Sequence, residues 1–183
     1  MFAVTGTISF LFFLLGDIND AFWHRRILKP AFLVGAVLLL LSTVGCILRA
    51  TAKGIGNVAF LVAALLFAAL LIWALFFSFP PKPAYVEASK QRTACTGGMY
   101  ALCRHPGILW FCFLYGCLIP SVGFPWQLSL LYCLLNLLLG WVEDRWIFPR
   151  VFHNYPDYKQ RTPFLIPTAK SIRAWIHSIG QGP

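Results

Sequence analysis

Charge is scarce in this chain, and acidic charge is the scarcest. Of 183 residues only six are Asp or Glu, and all charged residues together make up 11%, where a soluble globular protein carries about 25%. Hydrophobic residues make up 59%, and the mean hydropathy is +0.73. A water-soluble domain of this size has too few polar groups to cover such a composition. The figures therefore exclude a soluble enzyme, a disordered chain and a disulfide-stapled secreted module, and they indicate an integral membrane protein.

Five apolar stretches predict membrane helices, because about 20 apolar residues in a helix cross a bilayer. They are residues 2–16, 30–48, 58–79, 107–119 and 126–142. The first lacks the basic start and the small-residue cleavage site of a signal peptide, so we interpret it as an uncleaved helix; a helix lying in the interface is the alternative. Prolines at 80, 81 and 83 end the third stretch, and residues 120–125 predict the turn of a tight helical hairpin.

The predicted fold class is therefore all-α, a polytopic membrane protein of about five transmembrane helices with a C-terminal helical hairpin and a cytoplasmic C-terminal segment. We expect a single integral membrane domain over residues 1–183. Within it, residues 1–80 hold the N-terminal helices, residues 81–167 the core that carries the chemistry, and residues 168–183 a tail.

The basic residues are distributed unevenly along the chain. Thirteen of the fifteen Lys and Arg lie in segments 17–29, 80–106 and 143–183, and two lie in 49–57. Because short basic loops stay cytoplasmic, this bias predicts an outside N-terminus and a cytoplasmic C-terminus. Segments 80–106 and 143–183 then meet at the cytoplasmic face, at the two ends of the hairpin. Because the basic residues follow the sidedness of the membrane rather than one compact patch, we expect no nucleic acid as a partner.

Two polar motifs stand where the hairpin enters and leaves the membrane. The first is Arg104-His105-Pro106-Gly107, in which the proline suits the first turn of a helix and the free N–H groups there favour an anionic group. The second is the adjacent pair Glu143 and Asp144. Carboxylates at a membrane boundary are costly unless they are paired or functional. The structural alternative is a salt bridge to a nearby arginine, at position 104, 145 or 150.

A third segment, residues 152–167, is rich in tyrosine and proline. Aromatic rings with a polar tip suit the membrane interface, and a lid over a pocket is the functional alternative. The four histidines show no ligand spacing, so we expect no metal.

Taken together, these motifs resemble the isoprenylcysteine carboxyl methyltransferase-like superfamily, which includes bacterial phospholipid methyltransferases. The resemblance covers residues 93–167 and rests on G-x-Y-x-x-x-R-H-P at 98–106, the hairpin, the acidic pair, F-x-x-Y-x-x-Y at 152–158 and I-P at 166–167. Asp144 stands where that family has a second glutamate. Ile108 and Trp110 stand where it has a tyrosine and a small residue.

The resemblance implies an enzyme, a methyltransferase that takes S-adenosylmethionine from the cytosol and a lipophilic substrate from the bilayer. The residues it implies for cofactor binding are Tyr100, His105, Pro106, Gly107, Glu143, Tyr155 and Tyr158. The catalytic candidates are Glu143 and Arg104, and the substrate-binding candidates are Arg161 and Trp110. An arginine, at position 104 or 161, can hold an acidic lipid headgroup or a substrate carboxylate by bidentate contact.

The methyl acceptor stays open between an isoprenylcysteine-like carboxylate, a lipid amine and a similar small nucleophile. An amine or thiol must lose a proton, which His105 or Glu143 can take, whereas a carboxylate is already ionised. Two other classes also stay open. One is an NADPH-dependent membrane reductase of the sterol-reductase type, which has a similar R-H-P hairpin, and the other is a non-catalytic membrane protein whose basic face binds anionic lipid.

Overall fold

The described part of the chain is helical. The computed structural model describes residues 2–51, 54, 56–77 and 92–179, and within these ranges it contains helices and no sheet strand. The five long helices are α1 (Phe2–Ile18), α2 (Ala31–Thr51), α3 (Val58–Ile72), α5 (Pro106–Val122) and α6 (Trp126–Val142). The shorter ones are α4 (Met99–Leu102), α7 (Phe148–Val151), α8 (Tyr155–Arg161) and α9 (Ala169–Ile179). Widened π-helical turns continue three helices: Asn19–Trp23 after α1, Trp73–Phe77 after α3 and Glu143–Ile147 after α6.

Four helical stretches among the described residues are long and apolar enough to cross a membrane. They are Phe2–Trp23, Arg26–Thr51, Val58–Leu75 and Trp126–Val151, and the apolar helix α5 is shorter at 17 residues. Their outward side chains are apolar as well: Leu33 and Leu65 are each 65% exposed, a state that lipid tolerates and water does not. The prediction of an all-α polytopic membrane protein is confirmed.

The turn of the predicted hairpin is shorter than expected. We predicted a turn over residues 120–125, but α5 continues through Pro120 to Val122. A proline in the last helical turn removes one N–H and leaves the rest of the helix intact. The helix ends instead at Gly123, whose φ of 69° suits glycine and whose N–H donates to the Ile119 carbonyl at 3.0 Å. The second arm begins at Trp126 as predicted. The predicted proline stop at 80–83 lies outside the described residues.

The helices pack through aromatic rings and hydroxyl groups in the membrane interior. The Tyr132 hydroxyl lies 2.7 Å from Ser42 Oγ, and the Tyr115 hydroxyl lies 2.5 Å from Thr43 Oγ1. Gly6 of α1 allows this approach, because a Cβ there would lie 1.7 Å from the Tyr132 hydroxyl oxygen. Such contacts hold the helices together in lipid, where the hydrophobic effect does not drive helices to associate. They hold the α5–α6 hairpin against α1 and α2, so that α1 and α6 lie side by side.

Candidate functional site

The site is built around the widened turn that follows α6. That turn begins with Glu143 and Asp144, which were predicted as an acidic pair at the membrane boundary. The Asp144 side chain is 8% exposed and that of Glu143 is 17% exposed. π-helical turns occur frequently at functional sites, since the extra residue redirects the side chains around it. Both carboxylates are therefore enclosed by the protein.

Arg104 forms a two-point ion pair with Asp144. Its Nε lies 2.7 Å from Asp144 Oδ1 and its Nη2 lies 3.1 Å from Oδ2. Nη1 donates to the backbone carbonyls of Lys159 and Thr162. Burial alone lowers the pKa of Arg104, but the hydrogen bonds and the charge of Asp144 outweigh burial and raise that pKa. Four of the five N–H donors are thus used within the protein.

These hydrogen bonds suit Arg104 to a positioning role, because acceptors of the protein itself occupy four of the five N–H groups of its guanidinium. Its predicted direct contact with a substrate stays a prediction. The salt bridge that we considered for the acidic pair is present at Asp144, whereas Glu143 forms none with an arginine among the described residues.

Two side chains of α8 also bind the Asp144 carboxylate. The Tyr155 hydroxyl donates to Oδ1 at 2.6 Å, and Lys159 Nζ lies 2.8 Å from Oδ2. Burial, together with the bond to the carboxylate, raises the pKa of Tyr155. The Asp144 carboxylate thus connects the Arg104 loop, the end of α6 and helix α8. Because this buried charge is hydrogen-bonded on both oxygens, it holds its partners in one geometry.

His105 lies between the two carboxylates. Its Nδ1 is 3.5 Å from Glu143 Oε2 and its Nε2 is 3.7 Å from Asp144 Oδ1, both longer than an ordinary hydrogen bond. The ring stacks on Phe148 with centroids 5.5 Å apart, and Phe164 covers it at 4.9 Å. The residue is 6% exposed, and its Nε2 is buried with no hydrogen-bond partner among the described residues. Burial lowers the pKa of His105 against the opposing effect of Asp144, and this shift favours the neutral imidazole.

Gly140 of α6 makes the position of His105 possible, and sequence reasoning missed it. A Cβ at this position would lie 2.3 Å from Ile108 Cδ1 and 3.3 Å from His105 Nδ1. Gly140 lies one helical turn before Glu143, so the same face of α6 provides both the space for the ring and the carboxylate beside it.

The C-terminal segment crosses over the Arg-His-Pro turn. The Arg104 N–H donates to the Pro163 carbonyl at 2.9 Å, and the His105 N–H donates to the Phe164 carbonyl at 3.2 Å. Pro106 begins α5 and is buried, as its place at the helix start predicted. Gly107 is half-buried and faces α3.

The remaining tyrosines hold the small helices together. The Tyr158 hydroxyl donates to the Tyr100 carbonyl at 2.6 Å, and the Tyr100 hydroxyl donates to the Ala74 carbonyl at 3.0 Å. Burial raises the pKa of both phenols. Their hydroxyl groups thus bond to backbone, and their predicted contact with a cofactor stays a prediction.

A groove of about 600 Å³ lies beside this cluster, between α8 and α9. Most of the residues that line it have a polar group: Thr96, Asn154, Asp157, Tyr158, Arg161, Thr162, Lys170 and Ser171. Arg161 therefore lines an open groove. Trp110, the other predicted substrate residue, lies elsewhere. Its ring stacks on Phe67 of α3 at 6.2 Å, and within the described part of the chain its buried Nε1 has no hydrogen-bond partner.

Asp17 is a second residue that sequence reasoning did not assign to the site. It lies in the last turn of α1, close enough to Glu143 for the two carboxyl groups to interact, and its Oδ2 is buried without a hydrogen-bond partner among the described residues. The one sequence signal for it was an acidic residue directly after an apolar helix. Lys159 was missed as well, because nothing in its sequence neighbourhood distinguishes it from other interfacial lysines.

Fold and site together define a polytopic membrane protein with a buried cluster of charged residues at one end of its helices. The cobalt-zinc-cadmium resistance protein CzcN of Cupriavidus metallidurans is 33% identical to this chain over 94 residues, which are 49% of this chain and 42% of that protein. The chain thus matches less than half the length of this relative. No family model matches the chain, and no solved structure matches it. Among the described residues, no group of three or more His, Cys, Asp or Glu side chains could hold a metal ion.

Proposed function

We propose that the protein is a membrane-embedded methyltransferase that transfers the methyl group of S-adenosylmethionine to a lipophilic acceptor. One observation carries the proposal. Arg104 of the Arg-His-Pro turn and Tyr155 of the C-terminal segment, two segments that the family resemblance connects, both donate hydrogen bonds to Asp144 of the acidic pair, and His105 lies 3.7 Å from the same carboxylate. An arrangement made only for membrane anchoring has no need of a buried, unpartnered imidazole at its centre.

The donor groups present fit the proposed cofactor. S-Adenosylmethionine has a carboxylate, an ammonium group and ribose hydroxyls, and the groove offers Arg161 and Lys170 for the first and Asp157 for the others. The groove shares Tyr158 and Thr162 with the cluster around Arg104. When bound, the sulfonium centre supplies an already activated methyl group, so the protein has mainly to position the acceptor.

The chain's own residues then have separate tasks. Arg104 and Asp144 hold the turn that carries His105, and the aromatic rings on either side keep water from the imidazole. His105 takes the proton that an amine or thiol acceptor loses, and Glu143 faces the same ring at 3.5 Å. The excess of basic residues at this end of the helices favours a cytoplasmic site with a cytoplasmic C-terminus.

Calorimetric titration of the purified protein with S-adenosylmethionine, S-adenosylhomocysteine and NADPH tests the proposal. We expect both adenosyl compounds to bind and NADPH not to bind. Replacing Arg161 with Ala should weaken S-adenosylhomocysteine binding by about tenfold, since a charged hydrogen bond contributes about 1.5–3 kcal/mol. Arg173→Ala is the matched control, because Arg173 lies on α9 but does not line the groove. Folded protein that binds neither adenosyl compound would overturn the proposal, and binding of NADPH alone would favour the reductase.

A further inference from the structure

A cavity of about 810 Å³ lies at the end of the helices opposite the candidate site. Helices α1 and α6 begin at this end, and α2 and α5 end here. The apolar part of the cavity wall comes from Phe2, Cys46, Ala50, Ile119, Leu128 and Leu131. Small-molecule sites have volumes of about 300–1,000 Å³ and mostly apolar walls, so this cavity has the size and the lining of a binding site.

The cavity opens at the lipid-facing surface of the helices. Leu131 of its wall is 39% exposed, and Trp126, at the start of the same helix, is 58% exposed. Three of the four helices around the cavity belong to stretches that are long and apolar enough to cross a membrane. Because apolar cavities stay dry, hydrocarbon suits this space better than water does.

Arg49 is the one charged residue that lines the cavity in the described part of the chain. Its guanidinium lies over the Phe2 ring, with Cζ 4.7 Å from the ring centroid. Gly45, one helical turn before Arg49, makes room for that ring, because a Cβ there would lie 2.5 Å from Phe2 Cε1. Stacking on a ring uses none of the five N–H donors. No described residue pairs with the guanidinium or accepts a hydrogen bond from it, so its donors face the cavity unused.

The protein supplies no acidic partner for Arg49 at this end of the helices. In the sequence, segments 49–57 and 120–125 contain two basic residues, Arg49 and Lys53, and no Asp or Glu. The acidic residues that the structure describes lie at the other end of the helices or on α8: Asp17, Asp20, Glu143, Asp144 and Asp157. At that end Arg104 is neutralised by a carboxylate. The charge of Arg49 therefore calls for an anion from outside the described protein.

We propose that this cavity binds an anionic phospholipid of the surrounding bilayer. One acyl chain fills the apolar space, and the phosphate group receives the N–H donors of Arg49, whose planar fork suits a phosphate. A soluble anion would gain nothing from the apolar wall, and a zwitterionic lipid would bring a cation beside Arg49.

The bound lipid is a ligand of the helices and not a methyl acceptor. Helix α5 has 17 residues and therefore separates the cavity from His105 by about 25 Å. Among the described residues, none lines both this cavity and the groove between α8 and α9. The inference is thus independent of methyl transfer. Because the cavity wall includes four helices, a lipid that binds there stabilises their packing.

The test follows modification of Cys46 by N-ethylmaleimide with peptide-resolved mass spectrometry, on purified protein in detergent micelles. Cys46 lines the cavity and is partly exposed, so a chain lying there shields its thiol. Cys117 of α5 is also partly exposed but does not line the cavity, and it is the internal control. We expect dioleoyl phosphatidylglycerol to protect Cys46 at about tenfold lower concentration than dioleoyl phosphatidylcholine, which has the same chains. sn-Glycerol 3-phosphate, which has no chain, should not protect it.

Two variants assign the preference to Arg49. Arg49→Gln should raise the protecting concentration of phosphatidylglycerol by about tenfold, since a charge-assisted bond is lost. Arg26→Gln is the matched control, an exposed arginine at the other end of the helices, and should behave as wild type does. Phosphatidylglycerol should also raise the midpoint of thermal unfolding of wild type and Arg26→Gln more than that of Arg49→Gln.

Three outcomes would overturn the inference. One is equal protection of Cys46 by the two phospholipids, which would leave a cavity that takes hydrocarbon without regard to charge. Another is protection of Arg49→Gln by phosphatidylglycerol at the same concentration as wild type. The third is protection by sn-glycerol 3-phosphate at the concentration at which phosphatidylglycerol protects, which would assign the site to a soluble phosphate.

Discussion

Replacing Asp144 with Asn tests whether one carboxylate holds the site together. The substitution keeps the shape of the side chain and removes the charge that receives Arg104 at 2.7 and 3.1 Å, Tyr155 at 2.6 Å and Lys159 at 2.8 Å. It leaves a guanidinium group that is 7% exposed beside a neutral amide. We expect the C-terminal segment to separate from the Arg-His-Pro turn before the membrane helices unfold.

The expected magnitude follows from burial. Removing one partner of a buried ion pair costs about 3–5 kcal/mol, because the other charge remains without compensation. The Lys159 side chain is 37% exposed, so water replaces most of its contribution. For a chain of this size about 1 kcal/mol corresponds to about 2–4 °C, and the midpoint of thermal unfolding should fall by about 6 °C or more.

Two measurements in detergent micelles check this expectation. Tryptophan fluorescence follows thermal unfolding, and peptide-resolved mass spectrometry follows modification of Cys103. This thiol is fully buried next to Arg104, and burial raises its pKa to about 11, so it reacts only when the region opens. Asp157→Asn, on the exposed side of α8, is the matched control. Adding Arg104→Gln to Asp144→Asn should restore part of the loss, since both charges are then absent. The reasoning is refuted if Asp144→Asn and Asp157→Asn show the same midpoint and the same Cys103 rate.

Two further predictions concern the surroundings of the imidazole. Gly140→Ala places a methyl group 2.3 Å from Ile108 Cδ1, so it should cost about 1–3 kcal/mol in thermal unfolding. Gly116→Ala, whose Cβ meets nothing within 4 Å, should be neutral, and equal losses in the two would contradict this packing argument. Because burial lowers the pKa of His105 below 6.5, the unfolded chain takes up a proton that the folded chain refuses, and the free energy of unfolding should fall as the pH drops below 6.5. Chemical denaturation between pH 8 and pH 5 checks this. The free energy of unfolding should fall less in His105→Asn than in wild type or in His177→Asn. Parallel profiles in all three proteins would exclude His105 as the source of the pH dependence.

Much of the fold was predictable because lipid imposes a simple condition on sequence. Apolar stretches long enough to span a bilayer must be helices, and the α-helix of the second arm covers the predicted residues, Trp126–Val142, before a π-helical turn continues it. The error at Pro120 has a local cause. Proline removes a hydrogen-bond donor wherever it stands, but near a C-terminus the helix loses only one bond, and Gly123 is the residue whose conformation ends it.

The sequence predicted which segments form the site but not which of their side chains contact each other. The Arg-His-Pro turn and the acidic pair were visible as polar residues at membrane boundaries, yet the two acids differ in what they contact. Asp144 receives Arg104, Tyr155 and Lys159, whereas Glu143 meets Asp17 from the far end of the chain. Neighbours along a helix point in different directions, and which of them meets a cation depends on the helix that lies opposite.

The sequence by itself determined that this protein crosses a membrane in helices, since its scarce charge and long apolar runs allow no water-soluble fold. It also determined that the polar residues able to do chemistry stand at helix ends, because a bilayer excludes them from elsewhere. Only the tertiary structure decided that Arg104 is occupied by Asp144, that Gly140 makes room for His105, and that Asp17 faces Glu143. Those are contacts between residues distant in the chain, and they depend on how the helices pack, which no local pattern encodes.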